Sequence, residues 1–290
     1  MKVAIVGIGS MARAIIPVLV EAGHEVSAWN RSAGALEGLG RVRALAGVAQ
    51  AFEQDVVITL LADDAAVRQT LVAPVVIHPS VACKVHVVMS TLSPQMVGEL
   101  ETLHRQATIG FVAAPVFGIP AVARQGQLNI LAAGADEAVA QVQPLFDTLG
   151  KHTWRLGTQP RQASIAKIAG NLMIAQAIAS IAEACALVRS HGLPPAVFTE
   201  VVTQTLFACA SYQRYAGNIV AQRFEPGFAL RLGLKDVGLA LQAAGAEGLA
   251  LPGAARVQQV MAACVDAGLG ELDWSALATQ CALPPAAEPL

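Results

Sequence analysis

The chain has 290 residues, a formal net charge of −2, 54% hydrophobic residues and 14% charged ones. It holds no run of like charge, which argues against a nucleic-acid partner. Its five cysteines (Cys83, Cys185, Cys209, Cys264, Cys281) lack the paired spacing of a zinc or disulfide framework. About 25% charged residues is usual, so this deficit asks for a large buried surface; the length suits one large domain or two modest ones.

VAIVG at 3–7 is a continuous apolar run closed by glycine and predicts a buried strand, followed by a helical pattern over 10–22. EVSAW (25–29), DVVITLL (55–61) and HVVMS (86–90) read as further strands. Helix-like segments follow the last two, near 63–71 and 94–106. IGFVAA (109–114) and LNILAAG (128–134) complete the strands, and a helix near 136–149 follows. Alternation of this kind predicts a parallel sheet with helices on both faces. After about residue 160 every segment is helical: 163–190, 194–208, 211–222, 229–246 and 252–267. Gly192-Leu193-Pro194-Pro195 and Glu225-Pro226-Gly227 are the breaks. The final CALPPAAEPL reads as a loose tail. Met1-Lys2 lead straight into the first strand, so no leader peptide is expected. A cytoplasmic protein with reduced thiols is.

Gly7-Ile8-Gly9-Ser10-Met11-Ala12 is a G-x-G-x-x-A sequence between a strand and a helix. The first glycine permits a tight turn, the second lets a pyrophosphate approach the backbone, and the third small residue packs helix on strand. The phosphates then meet the unpaired N–H groups of the helix start. This predicts a Rossmann-type α/β dinucleotide-binding domain over 1–161 and an all-α domain over 162–290, linked by a long helix at about 163–190. An NAD site normally ends its second strand in Asp or Glu, for the ribose 2′-hydroxyl. Here Asn30-Arg31-Ser32 stand there. A guanidinium suits a 2′-phosphate and Ser32 adds a donor, so NADP(H) is expected over NAD(H).

The long helix carries SIAKIAGN at 164–171. Lys167 is the only cation in its apolar run, and Asn171, four residues on, shares its face. Gly170 costs about 1 kcal/mol against alanine inside a helix. Asn171, Gln176 and Ser180 interrupt the run, and Lys167 and Glu183 flank it, which argues against a membrane span of about 20 apolar residues. Burial between domains and between subunits, in a homodimer at least, is the expectation.

Six pieces in one order, GIGSMA (7–12), GHEVSAWNRS (23–32), MSTLSP (89–94), AAPVFG (113–118), SIAKIAGN and LKDVGLAL (234–241), resemble the β-hydroxyacid dehydrogenase family. That family includes 3-hydroxyisobutyrate dehydrogenases and glyoxylate or succinic semialdehyde reductases, and is related to the imine reductases. The resemblance covers residues 1 to about 270. It implies that Lys167 is the acid/base group and that Asn171 holds it or the substrate oxygen. Burial of such a lysine would lower its pKa and suit it to proton donation near neutrality. The resemblance also implies that Lys235 reaches the cofactor or an acidic substrate, and that Asp236 is structural. Ser90 and Thr91 lie beyond a strand's carboxyl end, near the nicotinamide or the substrate. Leu61, at another strand's end, joins the cofactor-binding set.

One loop departs from the resemblance. The family's hydroxyacid members carry D-A-P-V-S-G-G, whose serine and glycines bind the substrate carboxylate. This chain has Ala113-Ala114-Pro115-Val116-Phe117-Gly118-Ile119. Phe117, Gly118 and Ile119 therefore predict a drier pocket for a larger or less charged carbonyl compound. Three functions follow: an NADP(H)-dependent reductase or dehydrogenase of a small carbonyl or hydroxy compound, an imine or apolar ketone reductase, and a non-catalytic NADP(H)-binding sensor or scaffold. Phe207, Tyr212 and Tyr215 read as pocket-lining or ordinary core aromatics.

Overall fold

The computed structural model describes residues 1–281; all but the first residue of the expected tail lies outside them. The chain divides into two compact units, Met1–Lys167 and Ile168–Leu290.

The first unit is built on a nine-stranded sheet among the described residues. Its strands are β1 (Lys2–Val6), β2 (Glu25–Trp29), β3 (Arg43–Ala44), β4 (Val56–Thr59), β5 (Val85–Val88), β6 (Gly110–Ala113), β7 (Val116–Phe117), β8 (Leu128–Gly134) and β9 (Gly150–Gly157). The order is β3-β2-β1-β4-β5-β6-β8-β7, with β9 paired to β8. From β3 to β6 all pairs are parallel; β8 runs antiparallel to β6 and β7 and parallel to β9. The run 3-2-1-4-5-6 is the dinucleotide-binding order, with its crevice where the order reverses beside β1.

Burial on both faces explains why these runs are mainly apolar. Val3, Ile5, Ile58 and Val87 face one layer, with α1 (Ser10–Glu21) and α5 (Asp136–Leu149). Ala4, Val6, Val57 and Val88 face the other, with α2 (Asp64–Val67) and α3 (Pro94–Ala107). A sheet covered on both faces has no polar side to show. A short α4 (Pro120–Ala123) follows β7. Three strands were not anticipated: β3, β7 and β9.

The helix α6 (Arg161–Ser190) is a single 30-residue element, and the division between units falls within it. By length and composition it is apolar enough to cross a membrane. The second unit adds α7 (Pro195–Gln204), α8 (Ala210–Ala221), α9 (Leu230–Ala246) and α10 (Pro252–Cys264). α7 ends four residues before the expected 208. Ile178, Ala182, Leu230, Val237, Met261 and Trp274 form the unit's core. Asp273, fully buried, accepts from the Phe228 N–H and from the Ser275 N–H and hydroxyl, which fixes the closing turn.

Candidate functional site

Gly7 sits at φ +93, and a Cβ there would lie 2.5 Å from the Leu60 carbonyl oxygen. Only glycine takes this turn. It ties the end of β1 to β2, donating from its N–H to the Trp29 carbonyl at 2.9 Å. Gly9 precedes α1 and a Cβ on it would meet nothing within 4 Å, so an approach to its backbone is open. No side chain caps this helix start and no acidic residue lies in its first turn. Ala12, fully buried, lets α1 pack on the sheet. Ser10 is exposed and Met11 half-buried, at the unpaired N–H groups. A turn fixed in place, an open glycine and an uncapped helix start fit a pyrophosphate.

Asn30 is committed to the chain itself. Its Oδ1 accepts from the Ile8 N–H at 3.0 Å, and its Nδ2 donates to the Ser32 carbonyl at 3.2 Å. It therefore shapes the glycine turn and the loop after β2 together. Arg31 and Ser32 are exposed in that loop. Arg13, which sequence reasoning passed over, donates from α1 to the carbonyls of Ala35 (2.7 Å) and Glu37 (3.2 Å), holding the segment after Ser32.

Ser90 closes β5. Its hydroxyl accepts from the Leu61 N–H at 2.7 Å and donates to the Thr59 carbonyl at 3.4 Å. Both strand ends are thus pinned side by side, and Ser90 acts by positioning Leu61. Thr91 follows, half-buried. Ser93 caps α3 by accepting from the Met96 N–H at 3.0 Å, as a Ser-Pro helix start implies. Ser164 donates to the Leu92 carbonyl at 2.6 Å, so the first turns of α6 are anchored to the loop beyond β5. One turn on, the Lys167 ammonium stands 4.6 Å from the centroid of the Phe117 ring. Phe117 is half-buried at the end of β7; Gly118 follows, then Ile119, half-buried before α4.

The second unit holds the remaining candidates. Asn171 is buried and donates from Nδ2 to Asp236 Oδ2 at 2.5 Å. The Lys235 ammonium lies 3.0 Å from Asp236 Oδ1 as an ion pair, off the line of a hydrogen bond. Asp236 thus gathers Asn171 and Lys235. Tyr215 is core, its hydroxyl accepting from Trp274 Nε1 at 2.9 Å. Phe207 and Tyr212 stack on each other at 4.7 Å, with Phe207 45% exposed.

Sheet order, glycine turn and open helix start define a dinucleotide-binding protein. Residues 2–157 match the NAD binding domain of 6-phosphogluconate dehydrogenase, and residues 162–280 match the NAD-binding domain of NADP-dependent 3-hydroxyisobutyrate dehydrogenase. The chain is 33% identical to the uncharacterized oxidoreductase YfjR of Bacillus subtilis, over 96% of this chain and 98% of that one. It is 28% identical to 2-hydroxy-3-oxopropionate reductase of Escherichia coli, over 96% of each. A 3-hydroxyisobutyrate dehydrogenase from Salmonella typhimurium superposes with a TM-score of 0.83 at 26% identity, over 97% of this chain and 99% of that one. The chain belongs to the family of 3-hydroxyisobutyrate dehydrogenase-like oxidoreductases, and its cofactor is a nicotinamide dinucleotide.

Proposed function

We propose that the protein is an NADP(H)-dependent reductase or dehydrogenase that interconverts the carbonyl and hydroxyl forms of a small compound, with Lys167 as general acid/base. The observation that carries this is the anchoring of α6 beside the β5 loop by Ser164, with the one cation of its apolar run over Phe117. When bound, the nicotinamide supplies or accepts the hydride. In the reducing direction the carbonyl π pair moves onto oxygen as its carbon gains the hydride. Lys167 then gives that oxygen a proton and is left as the amine; the reverse direction returns it. Asn171, buttressed by Asp236, orients this exchange. Arg31 and Ser32 receive the 2′-phosphate, with no carboxylate among residues 29–32 to repel it. Gly7, Ile8, Gly9, Ser10, Met11 and Ala12 hold the pyrophosphate, while Leu61 and Thr91 complete the cofactor contacts of the first unit. The protein works in the cytoplasm, as a homodimer.

A second reading, an imine or apolar ketone reductase, is favoured by Phe117 and Ile119, which bring hydrocarbon beside the proton donor. The test is oxidation of NADPH and of NADH against glyoxylate, succinic semialdehyde, an apolar aldehyde and a cyclic imine. Lys167→Ala should lower turnover by about 10²- to 10⁴-fold while cofactor binding persists. Arg31→Ala should erode the preference for NADPH by about tenfold or more, the loss of one charged hydrogen bond. Tight NADPH binding with no turnover on any of the four compounds would instead make the protein a sensor or scaffold. Equal use of NADH by the wild type would remove the role given to Arg31.

A further inference from the structure

The place of Phe117 is fixed from both sides. In β7 it is held antiparallel to β8, opposite Asn129. Gly118 after it sits at φ +151, where a Cβ would meet Leu128 Cδ2 at 2.6 Å, so the turn admits no other residue without a shift. The ring is therefore a platform rather than a mobile lid, and the Lys167 ammonium stands over its face. A cation within about 6 Å of a ring centroid is drawn to the negative face of the π system. That attraction acts on the ammonium and not on the neutral amine, so it favours the protonated form. It also holds Nζ at one place. In the chain on either side of Phe117, residues 113–120 read Ala-Ala-Pro-Val-Phe-Gly-Ile-Pro. None of these side chains can donate a hydrogen bond or carry charge. A carboxylate brought against them loses water and gains no side-chain partner from the loop, whereas an apolar substituent gains by burial there.

We propose that Phe117 is a positioning and specificity residue: its ring holds Lys167 as the charged proton donor and selects carbonyl substrates whose chain ends in an apolar group rather than a carboxylate. The inference rests on the reading of Lys167 as the proton-transfer group. It predicts a pair of effects that a merely structural ring would not produce together, one on the pH profile and one on substrate choice.

The experiment compares the wild type with Phe117→Leu, Phe117→Tyr and Phe117→Ser. Substrates are succinic semialdehyde and 4-methylpentanal, which differ only in a carboxylate against an isopropyl group. Phe117→Leu keeps apolar volume and removes the ring face. Its high-pH limb of kcat/KM should move to lower pH by about 0.5–1 unit, the scale of one cation–π contact. Phe117→Tyr keeps the ring and should restore the wild-type profile. The wild type should prefer 4-methylpentanal, and Phe117→Ser should lower that preference at least tenfold. A readout independent of turnover is the ¹³C titration of ε-labelled lysine, with the Lys167 signal identified by its loss in Lys167→Ala. That signal should titrate at lower pH in Phe117→Leu than in the wild type. An unmoved Lys167 titration in Phe117→Leu overturns the positioning role. A wild type that prefers succinic semialdehyde overturns the selectivity. If Lys167→Ala keeps full turnover, the proton-donor reading itself falls, and the proposal with it. If Lys167→Ala is inactive while the Phe117 variants behave as wild type, only the proposal falls.

Discussion

The Asp236 carboxylate is 1% exposed, and it receives the Asn171 amide at 2.5 Å and the Lys235 ammonium at 3.0 Å. A carboxylate taken out of water needs such partners to offset its lost hydration. Asn171 thus has a structural task as well as the catalytic one proposed for it, and the two can be separated. Asn171→Ala strips a donor from a buried charge and should lower stability by about 2–3 kcal/mol. Lys167 is half-buried rather than buried, and alanine is the better helix former. Lys167→Ala should therefore cost less stability than Asn171→Ala. Urea unfolding of the two variants checks the contrast. Equal stability losses would mean that Lys167 is a structural residue. The family resemblance implies a structural role for Asp236 but says nothing of how it is met. Its burial was not legible, because the partner that explains it lies 65 residues away. Asn30 and Ser90 illustrate the same limit: the sequence does not show that Asn30 is hydrogen-bonded to Ile8 and Ser32, or Ser90 to Leu61 and Thr59. Gly7 was legible because its constraint is local, a turn that only one residue type can make.

Between β4, β5 and α3 runs a buried chain of hydrogen bonds that the proposed chemistry does not use. Thr59 Oγ1 lies 2.7 Å from His86 Nε2, His86 Nδ1 lies 2.8 Å from His104 Nε2, and His104 Nδ1 lies 2.6 Å from the Leu100 carbonyl. A carbonyl only accepts, so His104 carries its proton on Nδ1. It must then accept at Nε2 from His86, which accepts at Nε2 from the Thr59 hydroxyl. Every member is satisfied with both rings neutral, and all three residues are fully buried. Burial holds His86 well below the usual histidine range and pushes His104 down to about 4. These folded-state values lie below those of the unfolded chain. The resulting stability is therefore complete above about pH 6.5 and is lost as pH falls through the folded pKa. For His104 alone, the interval from 6.5 to about 4 is worth about 3 kcal/mol. Chemical denaturation between pH 7 and 4 should show this loss, and His86→Leu/His104→Leu should flatten it. An equally steep slope in the double variant would place the acid sensitivity elsewhere. At this scale HVVMS was legible as a strand from its apolar run, though its histidine's partner was not. β9 was missed because GKHTWRLG offers no continuous apolar face. As a strand paired only with β8, it is specified by backbone hydrogen bonds and needs no buried side.

In the second unit α7 is inside out. Its buried residues are Thr199 and Thr203, while Val197 and Val201 are 51% and 57% exposed. The threonine hydroxyls turn back onto their own helix, donating to the carbonyls of Ala196 and Thr199. They ask for no polar neighbour. Leu187 and Leu193 at the α6–α7 corner and Leu206 beyond α7 are exposed as well. A helix that hides threonines and shows valines is amphipathic toward something outside this chain. Lipid spanning does not explain it: ten residues of α7 reach only about 15 Å, half of a hydrocarbon core. We propose a second copy of the chain as the occupant; burying each of these side chains would gain about 1.5–3 kcal/mol. The largely apolar α6, on which the expectation of a homodimer rests, belongs to the same proposal. Light scattering at micromolar concentration should give the mass of at least a dimer. Val201→Glu sets a charge in the middle of the patch and should yield monomers with the far-UV spectrum of the folded chain. The residue is exposed in the single chain, so the substitution leaves its core intact. A wild type that is monomeric at this concentration, or a Val201→Glu variant of unchanged mass, would mean that α7 does not carry the contact between copies.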